Sequence, residues 1–174
     1  KPFSEIKSFN YFNDIDHLYM GEFSKIGNRN WFTGLSTKYS YNYSISIGRK
    51  CFFKLGDHSV VTNFHFFDCS GGIEVGEYTA IGGINSVFYT HEINIPINRQ
   101  TAAPISIGKY CIVSTSCKLV PNTKLPDYSV LGAGAVLTKR FTDPYGVFGG
   151  IPAKRVKDFD QDCKFFTRET GYVN

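Results

Sequence analysis

The sequence predicts an all-β solenoid, a chain wound in short strands around a three-sided prism with one projecting loop. Every sixth residue from 107 to 137 is aliphatic: Ile107, Val113, Leu119, Leu125, Leu131 and Leu137. Four residues after each of the first five stands a small side chain: Cys111, Cys117, Thr123, Ser129 and Ala135. The form Ile-x-(Ile/Val)-Gly also occurs three times, at 45–48, 73–76 and 105–108. A period of six fits neither a helix nor the alternation of one long strand, so each repeat is a short strand plus a turn. With three hexads to a coil, the aliphatic residue points into the prism and the small residue fills the narrow space beside it. Coils pair their backbone groups with the coils above and below, so each is stable through its neighbours. Residues that follow the aliphatic ones, Gly108, Pro126 and Gly132 among them, fall near corners, where glycine relieves the steric cost of positive φ.

Composition sets the bounds. A chain of 174 residues, 42% hydrophobic, makes one domain with a continuous core. The 17 Gly, 16 Phe and 11 Tyr beside one Trp and one Met suit a turn-rich β protein with aromatic residues on flat outer faces, hence a homo-oligomer. A formal charge of +4 with scattered lysines and arginines gives no nucleic-acid footprint, and suits a small anionic ligand. The five cysteines form no CxxC pair. Cys51, Cys111 and Cys117 fall in the small inward slot and read as core thiols, which favours a reducing, cytoplasmic setting. No apolar run approaches the ~18 residues of a membrane span, and the first twenty residues do not form a signal peptide. The chain begins at Lys1 without a Met, which leaves room for a preceding segment.

Along the chain, residues 1–22 show no period, and their polar aromatic patch of Asp14, Asp16, His17 and Tyr19 is expected to cap the open end of the solenoid. The solenoid itself is expected over 23–142. Ile26-Gly27 is its first corner, and a Tyr- and Ser-rich stretch at 36–46 is an irregular coil. Ile47 and Phe53, then Leu55, Val61, Phe67 and Ile73, then Val75, Ile81 and Val87 are inward, with two-residue shifts between groups that imply small corner loops. The frame is lost between 88 and 104, so a loop leaves the prism there. Loops on a rigid scaffold carry binding and catalysis, and this one holds His91, Glu92, Asn98 and Arg99. After Leu137 the repeat stops. The remaining 143–174 form a tail, with a short helix at 156–170.

His91 opens the loop and, had the frame continued, would occupy a slot too small for imidazole. The chain resembles the hexapeptide-repeat acyltransferases of the galactoside, maltose and capsular-sugar type. The likeness rests on His91 at the loop, a Pro-Ile-x-Ile-Gly corner at 104–108, the repeats Val130-Leu-Gly-Ala-Gly-Ala135 and the ending Gly150-Ile-Pro-Ala153, and covers 45–157. The resemblance implies a left-handed parallel β-helix, although the general crossover rule favours the opposite hand. It further implies a trimer with active sites between subunits, acetyl-CoA as acyl donor, a saccharide acceptor and no metal. His91 would be the general base that takes the proton of a sugar hydroxyl as it attacks the thioester. Backbone N–H groups at a tight corner suffice for the developing oxyanion.

Glu92 is either an orienting partner of the imidazole or a solvated loop carboxylate. Asn63, His65 and Asp68, one coil earlier, match a region where relatives bind the acceptor, and Arg99 joins them from the loop. By spacing alone His65 fits a hydrogen-bonded structural histidine equally well, and Asn63 faces the same choice. Thr115 and Ala133, eighteen apart and therefore stacked, correspond to main-chain contacts with the pantetheine arm. Lys139, Lys154 and Lys157 correspond to basic positions near the nucleotide phosphates, and each is also an ordinary surface lysine. The expected activity is acetyl transfer to a sugar hydroxyl in the making of a bacterial surface polysaccharide. Its rivals are acetylation of the amine of a nucleotide-linked sugar, a zinc-dependent hydratase of the γ-carbonic-anhydrase kind using His58, His65 and His91, and a non-catalytic solenoid.

Overall fold

The computed structural model describes residues 1–38, 48–171 and 173, which contain short strands, a few 3-10 turns and no α-helix. Three parallel sheets form the faces of a prism. The first face stacks Glu5–Ile6, Lys25–Ile26, Val60–Val61, Ala80–Ile81, Ile112–Val113, Val130–Leu131 and Gly146–Gly149. The second stacks Tyr11–Asn13, Trp31–Thr33, Phe66–Asp68, Val87–Phe88, Lys118–Leu119 and Val136–Leu137. The third stacks His17–Met20, Phe52–Leu55, Ile73–Val75, Ile105–Ile107 and Lys124–Leu125.

The inward phase is the one the hexads mark. Val113, Leu119, Leu125, Leu131 and Leu137 are fully buried, as are Val61, Phe67, Ile73 and Ile81. Third-face strands are longer and bury residues i and i+2, such as Phe53 with Leu55 and Ile73 with Val75. That geometry, not corner loops, produces the two-residue shifts. At 82–85 the corner holds one extra residue, so Phe88 rather than Val87 turns inward and Ser86 rather than Asn85 fills the small slot. Asn85 instead takes the left-handed conformation, with φ 61°.

The small slot has a second duty. Thr79 N donates to Ser59 Oγ over 2.9 Å, and Cys111 N donates to Thr79 Oγ1 over 2.9 Å, so each slot side chain accepts the N–H of the slot above it. Ser59 Oγ and Thr79 Oγ1 donate in turn to Gly76 O and Gly108 O, both at 2.7 Å. Buried polar groups are thus paired between coils. All five cysteines are free thiols, with Cys51, Cys69, Cys111 and Cys117 buried. Burial pushes the Cys111 thiol up to about 12.

The corners differ from expectation in which residue bends. The left-handed residue is the third after the inward one, as in Tyr110, Ser116, Asn122 and Tyr128, and not Gly108 or Gly132. Gly108 is required for a different reason: a Cβ there would lie 2.5 Å from Asp127 N and 2.3 Å from Asp127 Oδ1. Of the three Ile-x-(Ile/Val)-Gly corners, those at 73–76 and 105–108 stack in register. In the first, residues 45–47 fall outside the described residues, with Ile47 and most of the 36–46 stretch. The place expected for that corner is held by Phe53-Lys-Leu-Gly56, which pairs with 73–75.

Both ends of the solenoid extend further than the periodicity indicates. Residues 1–22 are a complete first coil, whose strands pair with Lys25–Ile26, Trp31–Thr33 and Phe52–Leu55. At the other end Val147 and Phe148 pair with Val130 and Leu131, and Phe148 is 1% exposed. The expected helix at 156–170 is replaced by an antiparallel edge strand, Lys154–Asp158, and a 3-10 turn, Lys164–Thr167. The reason is local. Arg155 donates to Asp143 O (2.6 Å), Pro144 O (2.9 Å) and Asp158 Oδ1 (2.6 Å), which holds the strand on the sheet edge.

The tail then docks on the corner between the third and first faces. Phe3, Phe23, His58, Tyr78, Tyr110, Tyr128 and Tyr145 all have positive φ there. Their rings form one column with successive centroids 4.7 to 5.5 Å apart. Phe166 meets Tyr128 and Tyr145 edge-on at 5.6 and 5.5 Å, and the Arg168 guanidinium lies 5.2 Å from the Tyr110 ring centre.

Candidate active site

The corner between the second and third faces is where the chain leaves the prism. Phe66–Asp68 ends at this corner in one coil, and Val87–Phe88 holds the equivalent place in the next. From there the chain runs out as a hairpin, His91–Asn94 against Arg99–Ala102, with a turn at Ile95–Ile97 and Asn98 left-handed at φ 48°. The extra residue at 82–85 sets this register, and it brings His91 over Asp68.

Asp68 Oδ2 lies 2.7 Å from His91 Nδ1. The same oxygen accepts the N–H groups of Thr90 (2.8 Å) and His91 (3.1 Å), while Oδ1 accepts Ser70 Oγ (2.7 Å) and Ser70 N (3.2 Å). Burial works to raise the Asp68 pKa, but the hydrogen bonds from His91 and Ser70, the imidazole charge and the Thr90 N–H outweigh it and hold the carboxyl at about 2. The hydrogen bond to Asp68 in turn raises the His91 pKa above its ordinary 6.5, against the opposing effect of partial burial. An ionised carboxylate only accepts, so Nδ1 carries the proton and Nε2 keeps the lone pair. Asp68 is 4% exposed, whereas the His91 side chain is 41% exposed. The pair is therefore a buried, oriented carboxylate behind an accessible base.

The surrounding turn is braced. Arg49 Nη1 donates to Leu35 O (2.7 Å) and Ser70 O (3.0 Å), and Nη2 donates to Ser36 O (3.1 Å). Leu35 N donates to Ser70 Oγ at 3.0 Å. Thr90 O accepts Ala103 N at 2.8 Å and closes the base of the hairpin. A Cβ on Gly71 would come within 2.7 Å of Ala103 N, so this close approach needs glycine.

Other expected site residues stand elsewhere. Asp68 is not open to an acceptor, since its oxygens are taken by His91, Thr90 and Ser70. Glu92 is exposed and pairs across the hairpin with Thr101, so Asp68 is the orienting partner. His65 is 2% exposed in a core slot. Its Nδ1 accepts Ser86 N (3.1 Å) and its Nε2 lies 2.9 Å from Thr62 Oγ1, whose own proton goes to Gly83 O at 2.6 Å. Burial lowers its pKa to about 4, so it is a neutral structural histidine rather than an acceptor ligand. Asn63 likewise braces a corner, with Oδ1 accepting Asn28 N at 2.7 Å. Arg99 is exposed on the hairpin, opposite Asn94.

Thr115 and Ala133 stack at the corner between the first and second faces, with Gly134 N donating to Thr115 O at 3.0 Å. Lys139 Nζ lies 4.9 Å from the Phe141 ring centre, and Lys154 and Lys157 are exposed on the antiparallel edge strand. Within one chain these residues do not meet His91, which stands at another corner. The three histidines of the hydratase alternative also stand apart. His58 is in the aromatic column, His65 in the core at the first-to-second corner, and His91 at the second-to-third.

Sequence reasoning missed the Asp68–His91 pair. Its only signal is that Asp68 follows inward Phe67 as Tyr89 follows inward Phe88, and the extra corner residue conceals that alignment.

No protein-family model matches the chain. Solved structures do resemble it. A maltose O-acetyltransferase from Clostridium difficile superposes with a TM-score of 0.63 at 19% identity, over 82% of this chain and 70% of that one. The N-acyltransferase AntD from Bacillus cereus, complexed with dTDP and 3-hydroxybutyryl-CoA, gives 0.70 at 13% identity over 92% and 85%. A hexapeptide-repeat acetyltransferase from Vibrio cholerae gives 0.65 at 18% identity over 82% and 74%. These likenesses establish the fold: a left-handed parallel β-helix of the hexapeptide-repeat kind.

Proposed function

We propose that the protein transfers an acetyl group from acetyl-CoA to the hydroxyl of a saccharide, with His91 as general base. The observation that carries this reading is the 2.7 Å contact between Asp68 and His91 at the mouth of the projecting hairpin. Deprotonation of a hydroxyl as it attacks a thioester calls for an imidazole fixed in one tautomer, with its second nitrogen able to reach the acceptor. Asp68 supplies that fixation. The proton taken from the hydroxyl is then returned from Nε2 to the leaving thiolate, and no covalent enzyme intermediate is needed. Three similar folds belong to enzymes named as acetyl- or acyltransferases, one of them complexed with an acyl-CoA.

The donor is taken to run past Thr115 and Ala133, with Lys139, Lys154 and Lys157 near its phosphates. Because Thr115 and Ala133 lie across the second face from His91, a complete site needs a neighbouring copy. A homotrimer fits this need, since the outward residues of the first face, Val60, Ala80, Ile112 and Val130, and of the second, Tyr11, Trp31, Phe66 and Val87, are mostly apolar. Among the described residues no helix is long and apolar enough to cross a membrane. The free, buried thiols suit the reducing cytoplasm, where precursors of a surface polysaccharide would be acetylated.

Acetylation of a nucleotide-linked amino sugar is the second reading, favoured by the AntD fold's 92% coverage of this chain. One experiment separates the two: acetyl-CoA is supplied with a panel of glycosides and amino sugars, and the product is treated with mild alkali. An acetyl group that is lost is an ester and supports the first reading. One that survives is an amide and supports the second. Release of CoA with no acetylated product, or activity that depends on zinc, would defeat both.

A further inference from the structure

The polar aromatic patch at Asp16, His17 and Tyr19 lies on the outer third face, and the mechanism above leaves it unused. In the folded chain it becomes one side of a groove of about 620 Å³, completed by Phe52, Arg49 and Lys50. His17 pairs in register with Phe52 and Tyr19 with Lys54, so the floor is two adjacent strands. The Tyr19 ring is 5.6 Å from His17 and 6.4 Å from Phe52, edge-on to the latter, and Tyr19 is 50% exposed. Asp16 accepts Ser36 Oγ at 2.5 Å and Thr37 Oγ1 at 2.6 Å, which fixes Thr37 on the wall.

The chemistry is that of a polyhydroxylic ligand. The charges present are mixed in sign: Lys54 pairs with Glu74 at 2.6 Å, Asp16 lines the groove together with Arg49 and Lys50, and the Arg49 guanidinium spends its donors on backbone carbonyls. Among them stands a half-exposed phenol ring, with polar and charged groups of both signs on either side. A pyranose offers a flat face of C–H groups to such a ring and a rim of hydroxyls to its flanks. The groove volume lies within the roughly 300–1,000 Å³ usual for small-ligand sites.

The groove is also built on the turn that carries the dyad. Arg49 on its wall donates to Ser70 O, and Ser70 Oγ holds Asp68 at 2.7 Å. The Phe52 ring lies over Gly72, where a Cβ would come 2.5 Å from Cε1. We propose that this groove seats the saccharide acceptor, with Tyr19 as its stacking platform and the acetylated unit leading towards His91. The proposal rests on the reading of the protein as a sugar acetyltransferase, and it moves the acceptor site away from Asn63 and His65.

The test uses the full chain, acetyl-CoA and a panel of methyl pyranosides and N-acetylhexosamines. With the glycoside that the unaltered protein acetylates, Tyr19→Ala should raise the acceptor KM roughly three- to tenfold, the worth of one aromatic contact, while kcat stays within about twofold. Tyr19→Phe, which keeps the ring, should restore most of the KM. An acceptor KM unchanged in Tyr19→Ala overturns the groove and leaves the sugar acetyltransferase reading standing. A protein that binds acetyl-CoA but neither acetylates nor binds any saccharide in the panel overturns both. The acetyl-CoA dissociation constant, measured on every variant, shows that each is folded.

Discussion

Two corners of the same prism solve the same turning problem in opposite ways. Between the third and first faces, every coil places a ring in the left-handed conformation, and the rings from Phe3 to Tyr145 stack into one column sealed by Phe166 and Arg168. Between the second and third faces no such column forms. The chain leaves there as the hairpin at 89–104, and the turn one coil earlier carries Asp68. At the first corner identical geometry is repeated and each coil supports the next. At the second the repeat is broken, and the broken edge is held by individual polar contacts, Arg49 to Ser70, Ser70 to Asp68 and Asp68 to His91. Regular stacking confers stability, and departures from it create room for reactive groups.

The comparison breaks most readily at His91. His91→Ala should reduce turnover by about 10²- to 10⁴-fold, the usual worth of a general base, with little change in the acetyl-CoA dissociation constant. Steady-state kinetics beside calorimetry would show it, and near-normal turnover would remove the second corner from the mechanism.

Asp68→Asn tests how that corner is held. Loss of the carboxylate should cost roughly 10- to 10³-fold in turnover, because the imidazole tautomer and orientation are no longer fixed. The base must be unprotonated, so the rate should rise with pH through the His91 pKa, which lies above 6.5. Without the carboxylate that pKa falls, and the rising limb should move to lower pH while the plateau drops. A pH profile whose midpoint does not move would show that Asp68 does not act through His91. The stability linkage has the same origin. The Asp68 contribution is present above about 3.8 and is lost as the pH falls through about 2. The His91 contribution is present below 6.5 and is lost as the pH rises through its elevated folded value.

The remaining corner and the sealed one should respond in stability alone. Cys117 is fully buried in its slot, so Cys117→Leu should destabilise by about 1 to 3 kcal/mol through overpacking, read from a denaturant midpoint. Arg168→Ala should have the smallest effect, about 0.5 to 2 kcal/mol, by removing a cation from the faces of Tyr78 and Tyr110. Neither change should alter the acceptor KM. A loss of turnover in Arg168→Ala would mean that the two corners are not independent.

The core phase was legible in sequence because burial admits few residue types. The same logic extends further back than the aliphatic pattern suggested. Ile6, Phe12 and Leu18 are also six apart and pair in register with buried Ile26, Phe32 and Phe53, but Ile6 and Phe12 are themselves exposed at this end of the stack, and aromatic residues interrupt the aliphatic series. His91 was legible because it opens the stretch where the hexad frame is lost; slot size was no guide, since the His65 imidazole fills one. Asp68 was visible as a residue but not in its role, because its partner is set by a one-residue change in a corner two strands away. The groove around Tyr19 was out of reach for a plainer reason: it joins strands 35 residues apart, and no local pattern connects His17 to Phe52. The C-terminal strand was mistaken for a helix because Lys154–Asp158 holds a single apolar residue, Val156, and so carries no hydrophobic period, and Arg155 and the open sheet edge decide its form.

The extra residue at 82–85 is absorbed within a single corner. Val87–Phe88 is already back in register with Phe66–Phe67 before it and with Lys118–Leu119 after it. A solenoid of this kind resets its reading frame at every turn, so a lineage can gain or lose residues between strands without rewriting those that follow. Insertions of any length can therefore accumulate at one edge, under selection for a new acceptor, while the stacked edge opposite is inherited unchanged. Such a scaffold can diversify its chemistry by drift in length alone.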